Sequence, residues 1–351
     1  MSYTVHIGAS KPYDVIIGKD LVMGELLKDV VCPCRTVLVS DSNVPLKFRQ
    51  KVVHSLKNWD FDVCTMTIPA GEESKDMDSL EGLLEYMADC GLTRTDCVIA
   101  LGGGVVGDLT GFAAGCYLRG IKYVQMPTTL LAAVDSSVGG KTAIDLMAGK
   151  NLAGLFYQPE TVLCDVSFLD TLPDEVFACG AAEAIKTGIL SGADLFNRFS
   201  RPDVKENIAE IISLCVRYKG DVVQRDEFET GERKLLNLGH TIGHAIEKLS
   251  GYEVAHGQAV AIGMAMIARS AEKLGDAQPG MAQTIEKVLV ANGLPTDCEF
   301  SAKELAQAAL NDKKRSGNEI TIVIPASVGG CTLKKLPVSE LEDYIRAGIS
   351  K

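Results

Sequence analysis

Val98-Ile99-Ala100-Leu101-Gly102-Gly103-Gly104-Val105-Val106-Gly107-Asp108 decides the fold class of this chain. A short apolar run meets three glycines, and the residues from Leu109 onward carry a helical pattern. Strand, glycine turn and helix start together leave backbone N–H groups free at a helix N-terminus, the geometry that cradles a pyrophosphate. Gly102, Gly104 and Gly107 fit G-x-G-x-x-G literally, but the string alone is weak, since a tight turn with no ligand produces it too.

The surrounding pattern strengthens it. Strands are predicted at 3–7, 13–17, 36–40, 61–68, 97–101 and 123–126, with helices at 20–30, 45–56 and 78–90 between several of them. Such alternation makes a parallel, doubly wound sheet, whose ligands sit beyond the carboxyl ends of the strands. An ordinary dinucleotide unit has an acid closing the next strand, yet here that strand ends in Pro127-Thr128-Thr129. Asp41, at the end of 36–40, is better placed to accept from an adenine-ribose hydroxyl, and Gly71-Glu72-Glu73-Ser74-Lys75 ends another strand. The expected first domain, 1–172, is therefore a variant Rossmann-like α/β unit.

Beyond Leu172 the texture changes to 3.6-residue apolar spacing at 173–199, 204–226, 234–249, 257–274, 279–292 and 302–310. A hairpin at 319–324 with 332–335 precedes a last helix from Val338, so 173–351 is expected to be a mostly α-helical second domain.

A formal net charge of -11 argues against nucleic acid or an anionic membrane as partner. An acidic chain that binds an anionic small molecule must gather cations locally. Residues 259–268 form the longest mainly apolar run, too short to cross a bilayer. Met1–His6 has no signal-peptide core, and eleven scattered cysteines suit reduced thiols, so a cytoplasmic protein is expected.

Cations do gather beside small-residue loops. Asp135-Ser136-Ser137-Val138-Gly139-Gly140-Lys141-Thr142 resembles the end of a P-loop, but its spacer is wrong for an ATPase. Lys150-Asn151 lies in another glycine-flanked loop, and Lys186, Lys219, Arg233 and Lys313-Lys314 sit near other polar motifs. Any one such lysine is ordinarily a solvated surface charge. Together they suit a cradle for phosphate and carboxylate groups.

Three of the five histidines, His240, His244 and His256, fall close together. His240 and His244 are four apart on a predicted helix and so share a face. Thr241 stands where H-E-x-x-H carries its glutamate, which removes a metalloprotease. His256 offers a third nitrogen. Glu183 interrupts a small apolar face and is equally a carboxylate ligand or an exposed helical acid.

The order Gly103-Gly104-Val105-Val106-Gly107-Asp108, Pro127-Thr128-Thr129-Leu130-Leu131-Ala132, Gly139-Gly140-Lys141-Thr142, Gly149-Lys150-Asn151, Glu183-Ala184-Ile185-Lys186, Leu236-Asn237-Leu238-Gly239-His240, His256-Gly257 resembles the 3-dehydroquinate synthase family over essentially the whole chain. The resemblance implies one Zn or Co ion on Glu183, His240 and His256, with His244 beside the substrate phosphate and not a ligand. It implies NAD held by Asp41, Gly71, Glu72, Lys75, Gly103, Gly104, Gly107, Asp108, Thr128, Thr129, Lys141, Lys150, Phe168 and Thr171. Asp135, Lys141, Asn151, Lys186, Lys219, Arg233, Asn237, His244 and Lys313 would surround a sugar-acid phosphate, and Arg119 would reach a second copy in a homodimer. Gln258 stands where many relatives carry Glu, away from the ligand positions.

The implied reaction converts 3-deoxy-D-arabino-heptulosonate 7-phosphate to 3-dehydroquinate and phosphate. Its course is transient oxidation by NAD, phosphate elimination, re-reduction, ring opening and aldol closure, in a closed cleft. Alternatives are a cyclase acting on sedoheptulose 7-phosphate or glucose 6-phosphate, a metal-dependent polyol dehydrogenase, and a non-catalytic nucleotide sensor.

Overall fold

A computed structural model of the chain describes residues 2–310, 315–316 and 318–350. They form two compact units, Met1–Leu172 with Ile208–Phe228, and Pro173–Asn207 with Glu229–Lys351.

The first unit contains β1 (Tyr3–Ile7), β2 (Tyr13–Gly18), β3 (Arg35–Asp41), β4 (Asp62–Ile68), β5 (Cys97–Gly102), β6 (Lys122–Pro127), β7 (Lys141–Leu146), β8 (Gly149–Phe156) and β9 (Thr161–Asp165). Seven of them make one sheet in the order β1-β2-β9-β6-β5-β3-β4, while β7 and β8 pair as a separate hairpin. β1 is antiparallel to β2, and the other pairs in the large sheet are parallel. The variant Rossmann-like sheet is present.

Strand periodicity builds two cores. In β3, Leu38 faces one side and Val37 and Val39 the other. On Leu38's side lie α1 (Met23–Lys28) and α2 (Leu46–Lys57), through Met23, Leu27, Val52 and Leu56. The opposite side takes α3 (Met77–Asp89) and α4 (Gly104–Cys116), through Leu83, Met87, Leu109 and Ala113. All of β5 is buried, as a central parallel strand covered on both faces must be. Strand order reverses between β3 and β5, which puts a crevice at their carboxyl ends. Asp41 closes β3 and Gly103 follows β5.

Three strands of this unit were not expected. Lys141 and Lys150-Asn151, expected in loops, lie on β7 and β8. The hairpin is largely exposed on β8 and therefore lacks a clean apolar alternation. β9 is a five-residue buried run, short enough to hide between turn signals.

In chain order the remaining helices are α5 (Asp174–Ser191), α6 (Ala193–Arg198), α7 (Ile208–Arg225), α8 (His240–Leu249), α9 (His256–Lys273), α10 (Met281–Ala291), α11 (Ala302–Leu310) and α12 (Leu341–Gly348). Strands β10 (Arg315–Ser316), β11 (Glu319–Ser327) and β12 (Gly330–Pro337) form a small antiparallel sheet. All except α7 belong to the mostly helical second unit. The sequence places α7 in 173–351, whereas the helix packs on β1 and β2. Gly220 sits so close to Ile7 that a Cβ there would come within 2.6 Å of it. Apolar spacing establishes a helix but not which core it joins.

Two expected helices are broken. The one at 173–199 stops at Gly192 (φ 126), and 234–249 splits into a 3-10 turn, Glu232–Asn237, a left-handed Gly239 (φ 78) and α8. Glycine at 239 is required, because its backbone is left-handed and α9 presses against it: a Cβ there would lie 2.7 Å from the Val260 carbonyl oxygen, and one on Gly263 only 2.0 Å from the Gly239 carbonyl oxygen. No helix among the described residues is long and apolar enough to cross a membrane.

Candidate active site

In the helical unit, three elements deliver one residue each to a common point. Glu183 comes from the middle of α5, while His240 and His256 are the first residues of α8 and α9. Both imidazoles turn Nε2 to Glu183 Oε1, at 3.5 Å from His240 and 3.4 Å from His256. Glu183 is 1% exposed, so the exposed-acid alternative fails. Its ion-pair neighbour is Lys186, one turn further along α5, and neither carboxylate oxygen accepts a hydrogen bond of good geometry. A buried carboxylate must be offset by positive charge, which Lys186 supplies at one oxygen, while Oε1 faces the two imidazole nitrogens as a metal ligand would.

The rings are held for that purpose. His240 Nδ1 lies 3.1 Å from the Leu238 carbonyl, which can only accept, so Nδ1 carries a proton and Nε2 is the nitrogen turned to the Glu183 side. His256 Nδ1 lies 3.2 Å from Glu247 Oε2. Burial pulls the His256 imidazole down, but Glu183 and Glu247 on its two sides push it up to about 10. The pocket therefore favours positive charge. Two imidazole nitrogens and a carboxylate oxygen fit Zn²⁺ or Co²⁺, with coordination positions left over for a substrate.

His244 stands beside this trio. Its ring is 5.4 Å from that of His240, edge to face, and 6.0 Å from that of His256. With Glu247 and His256 it forms a second group whose ligand atoms lie within 4.8 Å of one another. The helical spacing alone suggests pairing His240 with His244, yet Glu183 joins His240 to His256 instead.

Three of the cations depart from the surface position ordinary for a single lysine or arginine, whereas Lys141 keeps it. Lys186 and Arg233 are buried at 1% exposure each, among the largest fully buried side chains, and Lys219 is buried in the first unit. Charges so placed are rare without partners or ligands. Asn237 Nδ2 donates to Glu229 Oε1 at 2.6 Å, and Glu229 itself adopts a left-handed backbone (φ 59). Lys313 and Lys314 lie outside the described residues.

In the first unit the site is mostly backbone. Gly103 caps α4, and Thr128 N–H donates to the Gly102 carbonyl at 2.9 Å, bringing the β5 and β6 ends together. A Cβ would lie 3.2 Å from Thr129 Cγ2 at Gly103, and 3.2 Å from Ser136 Oγ at Gly104. At Gly107 it would meet Gln125 at 2.9 Å. Asp41 Oδ1 accepts from the N–H groups of Asn43 and Val44, a turn that fixes its direction.

Beside the glycine turn, the buried Lys75 ammonium lies 2.7 Å from Asp108 Oδ2, 2.5 Å from Asn151 Oδ1 and 3.5 Å from Glu72 Oε1. Burial pushes the Asp108 carboxyl up, with Lys75 opposing. Lys150 reaches Glu72 at 4.0 Å, and Gly71 (φ 119) makes the turn into Glu72. Asp135, on a π-turn at Ala132–Ser136, is ion-paired with Lys219 of α7. Lys141 opens β7 on its exposed side.

Three expected residues stand apart. The Phe168 ring is committed to the core against Phe48, 4.9 Å between centroids, which leaves only its backbone for a ligand. Thr171 is exposed at the end of a 3-10 turn, and Arg119 (φ 69) is exposed in a left-handed bend after α4.

Sequence reasoning missed Asp145, Glu229 and Glu247. Asp145 Oδ1 accepts from Asn151 N–H at 2.7 Å, and its own N–H donates to the Lys75 carbonyl at 2.7 Å. It thereby ties two expected site loops together. Glu247 had a signal, since it follows His244 by three residues on one helical face.

The family model described as 3-dehydroquinate synthase N-terminal matches residues 65–179, and the C-terminal one matches 180–315. A 3-dehydroquinate synthase from Clostridium perfringens (strain 13 / Type A) is 44% identical over 327 residues, covering 91% of this chain and 93% of that one. Among solved structures, 2-deoxy-scyllo-inosose synthase complexed with carbaglucose-6-phosphate, NAD+ and Co2+ superposes with a TM-score of 0.88 at 25% identity, covering 99% and 100% of the two chains. ValA, a 2-epi-5-epi-valiolone synthase from Streptomyces hygroscopicus subsp. jinggangensis 5008 with NAD+ and Zn2+ bound, gives a TM-score of 0.88 at 25% identity and covers 96% of each chain. Matched by the models across 65–315 and by that relative over nearly its whole length, the chain belongs to the 3-dehydroquinate synthase family.

Proposed function

We propose that this enzyme converts 3-deoxy-D-arabino-heptulosonate 7-phosphate to 3-dehydroquinate and inorganic phosphate, a phosphate-eliminating lyase of the shikimate pathway toward chorismate. The observation that carries the reading is the Glu183, His240 and His256 constellation within a chain 44% identical to a 3-dehydroquinate synthase. Residues 1–172 are assigned the NAD and 173–351 the metal ion and most of the substrate, with α7 bringing Lys219 to the first. When bound, the nicotinamide supplies a reversible hydride acceptor and the divalent ion a Lewis acid that lowers the pKa of the hydroxyl to be oxidised.

The chain's own residues do the rest. Glu183, His240 and His256 would hold the ion, and the glycine turn at Gly102–Gly104 would take the pyrophosphate on backbone N–H groups. Lys75, Asp108 and Glu72 keep that turn and Asn151 in fixed relation. In the helical unit Lys186, Arg233, Asn237 and His244 would hold substrate phosphate and carboxylate, and in the α/β unit Lys141, Asn151 and the Lys219–Asp135 pair are assigned to substrate as well. Once the ring carbon is a ketone, the neighbouring C–H is acidic. A substrate phosphate oxygen takes that proton, the C–O bond breaks and phosphate leaves. Buried cations stabilise the charge that develops, each worth roughly 3 kcal/mol by analogy with oxyanion donors.

A homodimer is supported by apolar residues exposed on one hairpin and its surroundings: Leu118, Leu152, Leu155 and Phe156. Arg119, exposed next to Leu118, would then reach a second copy. Cytoplasmic residence, with neither nucleic acid nor membrane as partner, is supported by the acidic charge and by free cysteines throughout. A second reading, a cyclase for sedoheptulose 7-phosphate or glucose 6-phosphate, is favoured only by the likeness to the two solved cyclases.

Phosphate release tests both. With NAD, the heptulosonate phosphate should release phosphate, a chelator should stop it, Zn²⁺ or Co²⁺ should restore it, and no NADH should accumulate. Lasting NADH production points to a polyol dehydrogenase, and release only from the other two sugars to the second reading.

A further inference from the structure

We propose that Glu247 is a positioning residue that sets the strength of the metal site through His256. Glu247 is buried near the end of α8, and its Oε2 lies 3.2 Å from His256 Nδ1 on the side of the ring away from Glu183. Its backbone is clamped as well. The Glu247 carbonyl accepts from Tyr252 N–H at 2.7 Å and from Ser250 Oγ at 3.0 Å, so the turn leading from α8 to His256 is anchored on this residue.

The two imidazoles are therefore supported differently. His240 has a neutral carbonyl behind it, and His256 has a carboxylate. A carboxylate on Nδ1–H fixes which nitrogen faces the ion, and its charge makes Nε2 a stronger donor. His256 is also the more accessible ring, its side chain 35% exposed against 11% for His240. An imidazole open to solvent has more freedom to rotate out of alignment, and it is the one given the charged support. His244 lies within reach of Glu247 and His256, so the contrary arrangement, with Glu247 itself a ligand, has a distinct signature.

This inference rests on the metal reading above, and the test separates the two. The full-length enzyme is stripped and titrated with Zn²⁺ against a chromophoric chelator, then with Co²⁺ while its visible bands are recorded. Glu247→Ala should weaken Zn²⁺ binding about 10- to 100-fold, the usual consequence of losing such a partner. Its Co²⁺ band positions should stay those of the parent. Glu247→Gln keeps an acceptor for Nδ1–H and should recover most of the loss, while melting of the stripped protein checks that both variants fold. Equal affinity in parent and Glu247→Ala overturns the proposal and leaves the metal reading standing, as does a changed Co²⁺ spectrum, which makes Glu247 a ligand. A parent that takes up no ion at this site overturns both.

Discussion

The two units would make their proposed sites from different materials. In the α/β unit the critical atoms are backbone ones at strand ends, kept bare by Gly103 and Gly104 and by the ends of β5 and β6. In the helical unit they are side chains where three helices meet, Glu183 and His240 buried and His256 partly exposed. One site should be damaged by adding atoms and the other by taking them away. Gly263 is the informative exception, a packing residue of the helical unit that must stay small for α9 to lie against Gly239 and Gly243.

The largest effect should follow removal from the helical site. Glu183→Gln keeps the volume and loses the charge, and turnover should drop on the order of 10³-fold or more, since metal stabilisation of developing charge is worth several kcal/mol. Assays at saturating Zn²⁺ check this, and near-normal turnover would break the comparison on that side.

On the other side, Gly103→Val puts side-chain atoms against Thr129. NAD binding should weaken about 10- to 100-fold, matching the 1–3 kcal/mol of an overpacked site. Calorimetry with NAD measures it, and unchanged affinity would mean that the turn is not a ligand cradle. Gly263→Ala tests the exception. Its Cβ would meet the Gly239 carbonyl at 2.0 Å, so α8 and α9 must part, at a cost of about 1–3 kcal/mol in denaturant unfolding and with weaker Zn²⁺ uptake. Stability lost without any change in Zn²⁺ affinity would uncouple helix packing from the site. The smallest effect on the fold is expected at Phe156→Glu on the exposed hairpin, about 0.5–1.5 kcal/mol for the edge-on contact with Phe228 that it gives up. Sedimentation should show it dissociating a dimer that the parent retains.

The same contrast governs what could be read from the sequence. Strands β1 to β6 and the glycine turn were legible because alternation and glycine placement are local properties. The β7–β8 hairpin was not, since its outward residues carry no burial period. α7 was legible as a helix yet assigned to the wrong core, because an apolar face does not name its partner. The histidines drew attention by their spacing, but local geometry joined His240 to His244. Glu183, some sixty positions earlier on another helix, was joined to His256 only by family resemblance and then by the fold. Asp145 carries no motif of its own, and Glu247 shows only an i, i+3 spacing from His244 that an ordinary helical acid shares.

The central claim is that a carboxylate and two imidazoles from three helices hold one divalent ion. Anomalous diffraction from crystals of the Zn²⁺-loaded enzyme tests it most directly. The expected result is one strong site with Glu183 oxygen, His240 Nε2 and His256 Nε2 each about 2.0–2.2 Å away. A single ion bound elsewhere, or one held by His244 and Glu247 with Glu183 turned aside, would contradict it.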